Sequence, residues 1–306
     1  MPIKNIFALL LTALIWGTAF VAQRNGGDLI GAYTFNCLRN FIGAAALVPV
    51  ILLMDRLGVS RGPASAEEWR RLLRAGLCCG AALCVASNLQ QLGLNLGTSA
   101  GKGGFLTACY IVLVPVLGIF LKRRCGWNIW LGVALTVGGL YLLCMQGESL
   151  SFVFSDVLVL LCALGFACHI MVIDKFVGEV DAVRMSALQF LVTGVLTALP
   201  MYVLELEPQG FPTWWMAVTL PMGWFTLCFA GVMSSGVAYT LQIIGQKGMN
   251  PTVASLLMSL ESVFAVLAGW AISNEQLSSR ELWGCGLIFA AVVLAQLPLD
   301  KEQGSV

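Results

Sequence analysis

The sequence predicts an all-α integral membrane protein with ten transmembrane helices arranged as two inverted five-helix repeats. Three observations lead there. The first is apolarity. Of 306 residues, 58% are hydrophobic and only 11% charged, where soluble domains carry roughly 25% charge, and the mean hydropathy is +0.87. The second is that the apolar residues fall into ten stretches of about 18–25 residues, enough to span a hydrocarbon core of about 30 Å at 1.5 Å per residue. The third is an internal duplication. Laid about 150 residues apart, Ala13-Leu14 falls on Ala163-Leu164, Leu38 on Leu188 and Leu77-Cys78 on Leu227-Cys228. Each copy holds five stretches, and a chain that crosses five times leaves the membrane opposite to where it entered. The second copy therefore runs inverted, and inverted repeats place a site where the halves meet.

The spans are 5–22, 31–54, 74–95, 99–121 and 127–146 in the first repeat, residues 1–146. In the second, residues 147–306, they are 153–174, 182–204, 214–244, 250–271 and 281–299. Span one follows Lys4 and resembles a leader peptide, but residues 8–22 have a counterpart at 158–172, so it reads as a true first helix. Between spans two and three, Ser65-Ala66-Glu67-Glu68 is a capping-box pattern. With Trp69, Leu72 and Leu73 against three arginines, it predicts a short amphipathic helix at the inner headgroups that leads into span three, a solvated basic turn being the other reading. Span three and the start of span four carry glycines four apart (Gly76 and Gly80; Gly93, Gly97 and Gly101) that predict close helix packing. Trp127, Trp130, Trp214 and Trp215 stand at span ends and read as interfacial anchors. Span eight is too long for one crossing, so its core starts near Trp224 or ends before Gln242. The link 145–155 is short, which requires the halves to pack tightly.

Most of the 17 Lys and Arg fall on the side of the amino terminus, in the connections 55–73, 122–126, 175–181 and 245–249. The opposite side holds only Arg24 and Arg280. By the positive-inside rule both termini face the cytoplasm. The 11 cysteines show no CxxC or Cys/His metal spacing and read as small apolar packing residues. No metal, cofactor or nucleic-acid partner is expected; the partners are the lipid bilayer and a small solute.

Ionisable and polar residues in mid-membrane are costly unless paired or facing water, so they mark candidate sites. Glu261 lies about 16 Å into span nine by helical rise, Arg39 half-way along span two, Lys102 in the outer turn of span four and His169 mid-way along span six. A structural reading stands beside each: Glu261 protonated or ion-paired with Arg39, Lys102 snorkelling outward, His169 a satisfied core residue. On span one, Thr12, Trp16, Ala19 and Gln23 share one helix face. The repeat pairs Trp16 with Phe166, Arg39 with Gln189, Gln91 with Gln242 and Tyr110 with Glu261. With Tyr239 in span eight, these residues form the expected cavity wall.

Four segments resemble EamA-type permeases of the drug/metabolite transporter superfamily. Leu14-Ile15-Trp16-Gly17-Thr18-Ala19-Phe20 looks like that family's opening motif, and Leu38-Arg39-Asn40-Phe41 its arginine motif. Residues 99–107 followed by Val114-Pro115 are close to a bacterial form of its span four. Residues 260–270 are similar to its closing signature, except that Ser262 stands where proline usually follows the glutamate. The resemblance covers essentially the whole chain. It implies a secondary transporter in a bacterial cytoplasmic membrane that moves small organic metabolites by alternating access, often outward. Amino acids or related zwitterions would suit Arg39, Lys102 and Glu261, and Glu261 could instead carry a coupling proton. An uptake or exchange carrier for sugars, vitamins or nucleotide-like metabolites is the other reading. An integral membrane enzyme is disfavoured, because one histidine and no nucleophile motif leave little to do chemistry with. A membrane scaffold would leave the paired intramembrane polar residues without purpose.

Overall fold

A computed structural model describes residues 3–98, 100–122, 126–145, 153–273 and 278–296, and among them there is no strand. The first repeat comprises α1 (Ile3–Ile30), α2 (Ala32–Arg56), α3 (Ala66–Asn95), α4 (Ala100–Ala108), α5 (Tyr110–Phe120) and α6 (Trp127–Cys144). The second opens with α7 (Phe154–Phe176) and α8 (Ala182–Met201), which passes through a π-helical turn at Tyr202–Leu206 into α9 (Glu207–Gln209). There follow α10 (Phe211–Thr219), α11 (Pro221–Phe229), a π-helical stretch at Ala230–Tyr239, α12 (Thr240–Gln246), α13 (Pro251–Met258), α14 (Leu260–Ser273) and α15 (Ser279–Gln296). Among the described residues, seven helical runs are long and apolar enough to cross a membrane, and Ile3–Ala19 and Pro251–Leu267 are shorter apolar helices. The polarity is inside-out, as lipid requires. Phe120, Leu199 and Phe154 are exposed while Thr12, Asn36 and Gln189 are buried.

The two halves interleave rather than abut. α3 lies along α7 and α8, α2 along α8 and the long π stretch, α1 along α14 and α6 along α15. Exchanging the repeats maps these contacts onto one another. α3 on α7 becomes the α11–α12 helix on α1, α3 on α8 becomes the π stretch on α2, and α14 on α1 becomes α5 on α7. Helix pairs that belong to different repeats thus hold the fold, and small residues let them approach. A Cβ on Gly80 would come within 2.6 Å of Val192, and one on Gly139 within 2.8 Å of the Gly284 carbonyl. Without a hydrophobic drive between helices in lipid, this van der Waals fit is the main cohesion.

Several expectations change. Residues 66–74 are helical and run unbroken into span three as the first turns of α3, capped where Ser65 Oγ accepts from Glu68 N at 3.1 Å and Glu68 accepts from Ala64 N at 2.7 Å. Trp214 is not a headgroup anchor but is buried, and its indole N–H donates to Thr34 Oγ1 at 2.9 Å. Span eight begins at Pro221, because extended backbone at Leu220 separates it from α10, and it ends at Gln246. Gly97 is not a packing glycine: it follows α3 at φ 111°, where only glycine is unstrained. Gly101 has no described side-chain environment.

One cap crosses between the halves. Glu205, in the π-helical turn after α8, accepts from Tyr33 N at 3.0 Å and Thr34 N at 2.6 Å, the open donors at the start of α2. Gly31 stands at φ 93°, and a Cβ there would meet the Glu205 carboxyl at 2.6 Å. Glu205→Ala is expected to cost about 1–2 kcal/mol, as loss of an N-cap does, read as a lowered thermal midpoint in detergent. An unchanged midpoint would show that water replaces the cap.

A polar cavity between the repeats

In both repeats the fourth helical run is broken at the same place. Cys109 parts α4 from α5 and Ser259 parts α13 from α14. Both break residues have nearly equal dihedrals, φ −58° and ψ −14° against φ −63° and ψ −15°. At each, a tightened turn forms: Val112 N donates to Cys109 O at 3.0 Å and Ser262 N to Ser259 O at 3.2 Å. No proline is needed, which answers the Ser262 departure. Side chains take up the loosened carbonyls, Cys109 Sγ on Phe105 O and Ser259 Oγ on Leu256 O. Tyr110 directly follows the first break and Glu261 stands two residues beyond the second, and both face a cavity of about 60 Å³ between the halves.

The wall is drawn from every quarter of the fold. α1 supplies Trp16, Ala19 and Gln23, whose spacing of three and four puts them on one face. Arg39 comes from α2, Gln90 from α3 and Thr107 from α4. From the second half come Phe166 and His169 of α7, Ser234 and Tyr239 of the π stretch, Gln242 of α12 and Glu261 of α14. The π stretch is held by α1: Trp16 Nε1 donates to Ser234 O at 3.4 Å and Thr12 Oγ1 to Ala238 O at 3.1 Å. π-helical turns recur at functional sites. Tyr239 is the hub of the aromatic side, edge-on to Trp16 at 4.7 Å and to His169 and Phe190 at 5.8 Å.

One wall is a directed hydrogen-bond chain. Arg39 Nη1 donates to Gln23 Oε1 at 3.3 Å, Gln23 Nε2 to Gln90 Oε1 at 3.1 Å, and Gln90 Nε2 to Thr107 Oγ1 at 3.0 Å. Because a guanidinium only donates, the first step dictates which way both amides point. Arg39 is buried, stands 5.6 Å over the Phe35 ring, and its Nε has no partner. Across the cavity, the Glu261 carboxyl makes no hydrogen bond or ion pair among the described residues. The Arg39–Glu261 ion pair entertained from the sequence is therefore not formed. The Tyr110 hydroxyl, Gln242 Oε1 and His169 Nδ1 are also buried without partners. Buried polar groups are nearly always satisfied, so this concentration around one cavity points to a ligand with both donors and acceptors.

Of the sequence candidates, Trp16, Arg39, Tyr110, Phe166, His169, Tyr239, Gln242 and Glu261 come together on the wall. Three do not. Gln91 points away, donating to Asn95 Oδ1 at 2.9 Å and Gln23 O at 3.5 Å. Gln189 sits behind the wall and bonds His169 Nε2 at 2.9 Å. Lys102 neither snorkels nor reaches the cavity: its Nζ lies 2.6 Å from Asp156 Oδ2, in a buried pair that joins the repeats. The sequence reading missed Gln90, Thr107 and Ser234. Gln90 is one residue from Gln91, which turns it by 100° on the helix, more than repeat alignment resolves. Thr107 precedes Tyr110 by three, a spacing that would have found it.

Among the described residues no cluster of His, Cys, Asp or Glu suits a metal, and the described cysteines are free. Comparisons with known proteins place the chain in a family. The model of the EamA-like transporter family matches residues 3–145 and again 153–297. An uncharacterized transporter of Archaeoglobus fulgidus is 28% identical over 96% of this chain and 87% of its own length. YoaV, an uncharacterized transporter of Bacillus subtilis, is 23% identical over 98% of this chain and 99% of its own. The uncharacterized inner membrane transporter YedA of Escherichia coli is 22% identical over 95% and 90%. A solved crystal structure superposes with a TM-score of 0.75 over 97% of both chains at 18% identity, a likeness of fold alone.

Proposed function

Since the chain belongs to the EamA-like transporter family, we propose that it crosses a bacterial cytoplasmic membrane ten times, with both termini inside, and carries a small zwitterionic metabolite of the amino-acid class outward by alternating access. The observation that carries the reading is the pair of unpaired charged residues facing one cavity. Arg39 offers a guanidinium whose Nε is unpartnered, and Glu261 offers a carboxyl that faces the cavity with no hydrogen bond or ion pair among the described residues. An arginine recognises a carboxylate, and an acid recognises an ammonium. A solute carrying both would restore two counter-ions at once. Lys102 leaves this scheme, because its charge is matched by Asp156.

The cavity is too small to be loaded as it stands. At about 60 Å³ it is well below the roughly 150 Å³ that takes up a benzene, so a solute enters only when helices of the two repeats part. Glu261 also suits a coupling proton, which it would take up or release in turn with the solute. A neutral polyol such as a sugar is the second reading, favoured by Trp16 and Tyr239 beside the unpartnered Tyr110 hydroxyl and Gln242. Purified protein in proteoliposomes is expected to give saturable flux of one or a few amino acids, and the same solutes to raise its thermal midpoint through mass action. Flux of sugars but not of amino acids would transfer the assignment. Absence of flux for every solute class would sink the transporter reading for this chain.

A further inference from the structure

Two tight glycine contacts join helices of opposite repeats. Near the carboxyl end of α3, Gly93 fits against the opening turns of α7: a Cβ there would come within 2.5 Å of Val159 and 2.8 Å of Ser155 O. Near the carboxyl end of α12, Gly245 fits against the opening turns of α1, where a Cβ would come within 2.6 Å of Leu9 and 3.1 Å of Asn5 O. The residues touched correspond in the duplication, since Asn5 and Leu9 fall on Ser155 and Val159 at the shift of 150 that aligns the opening helices. Followed through alternately antiparallel helices, the two contacts lie at opposite ends of the bundle.

Each contact carries a polar tie to the connection that follows it. At the α3 end, Asp156 Oδ2 takes Lys102 Nζ at 2.6 Å and Val153 N at 3.0 Å, while Oδ1 accepts from Thr98 Oγ1 at 3.0 Å. At the α12 end, Asn5 Nδ2 donates to Lys247 O at 2.6 Å. Lys102, Asp156, Thr98 and Asn5 are all buried. The scaffold is symmetric but the ties are not, one being a buried ion pair and the other a neutral hydrogen bond.

We propose that these are the two closures of the transport path, opened in alternation, with Lys102–Asp156 latching the α3–α7 end and Asn5 the α12–α1 end. This rests on the transporter reading. A charge-assisted bond is roughly twice as strong as a neutral one, so the protein rests with the Lys102–Asp156 end shut and opens first at the other. Neutralising Asp156 removes the buried ion pair with Lys102, so Asp156→Asn releases that end, and Asn5→Ala releases the opposite one.

Hydrogen–deuterium exchange of the full chain in lipid nanodiscs tests this. For Asp156→Asn, amides at residues 92–98 are expected to exchange faster, on the order of tenfold, while those at 244–250 slow, because opening one end lets the other stay closed. Asn5→Ala should do the reverse, and the swap Lys102→Asp with Asp156→Lys should return both segments toward wild type. Faster exchange confined to the mutated end, or at both ends together, means a local brace and overturns the latch. The readout needs no solute. A wild type that carries no solute removes the transporter reading whatever the exchange shows, and a carrier whose ends exchange independently removes only the latch.

Discussion

Glu261→Gln is expected to lower solute flux by tenfold or more while leaving the fold in place. The side chains are nearly isosteric, and the carboxyl has no partner among the described residues, so no native contact is lost and the thermal midpoint should barely move. What changes is the charge presented to the cavity. A hydrogen bond to a charged group contributes about 1.5–3 kcal/mol, which corresponds to a factor of roughly 10–100 in affinity. If Glu261 binds the solute ammonium, the apparent affinity falls and the pH profile keeps its shape. If it carries a coupling proton, flux loses its dependence on the proton gradient while exchange of labelled for unlabelled solute persists. Proteoliposome uptake and counterflow, measured across pH, separate these outcomes. A variant with wild-type flux and wild-type pH dependence would remove Glu261 from both roles.

Gly17→Leu is expected to have the largest effect on stability. A Cβ at Gly17 would lie 2.5 Å from Glu261 O and 2.9 Å from Ala265 N. These are backbone atoms of α14, which cannot swing aside as a flexible side-chain tip can. The whole helix must move, and overpacking of this kind costs about 1–3 kcal/mol or more. A fall of the thermal midpoint by about 2–5 °C follows, together with loss of flux, since α1 and α14 carry Trp16 and Glu261 to the cavity. Gly138→Leu is the control: nothing lies within 4 Å of its Cβ position, and its midpoint should stay within about 1 °C of wild type, as for substitutions away from packed contacts. Leucine is also the better helix former at both positions, so equal destabilisation by both would mean that the α1–α14 contact does not set the cost.

How much of the site was legible depends on what each residue's position rests on. Trp16 and Gln23 were found because an unbroken helix obeys a known period. Tyr110 and Glu261 were paired because the duplication aligns them, and each follows a helix break. Ser234 could not be placed this way, since a π-helical stretch shifts the period it sits in. Lys102 was misjudged because its partner Asp156 belongs to the other repeat, 54 residues away along the chain. Trp214 likewise looked like an interfacial anchor until Thr34 of the first repeat was seen to take its N–H.

By itself the sequence determined the membrane setting, the helical content and the duplication, because these follow from composition, period and length, which every segment carries locally. The tertiary structure alone decided which charges are paired. Arg39, Lys102 and Glu261 look alike as buried ionisable residues in a linear chain. Only the interleaving of the two repeats sets Lys102 against Asp156 and leaves Arg39 and Glu261 facing a shared cavity. Pairing depends on distances between helices from opposite halves, and the small residues that set those distances act only once the halves are packed.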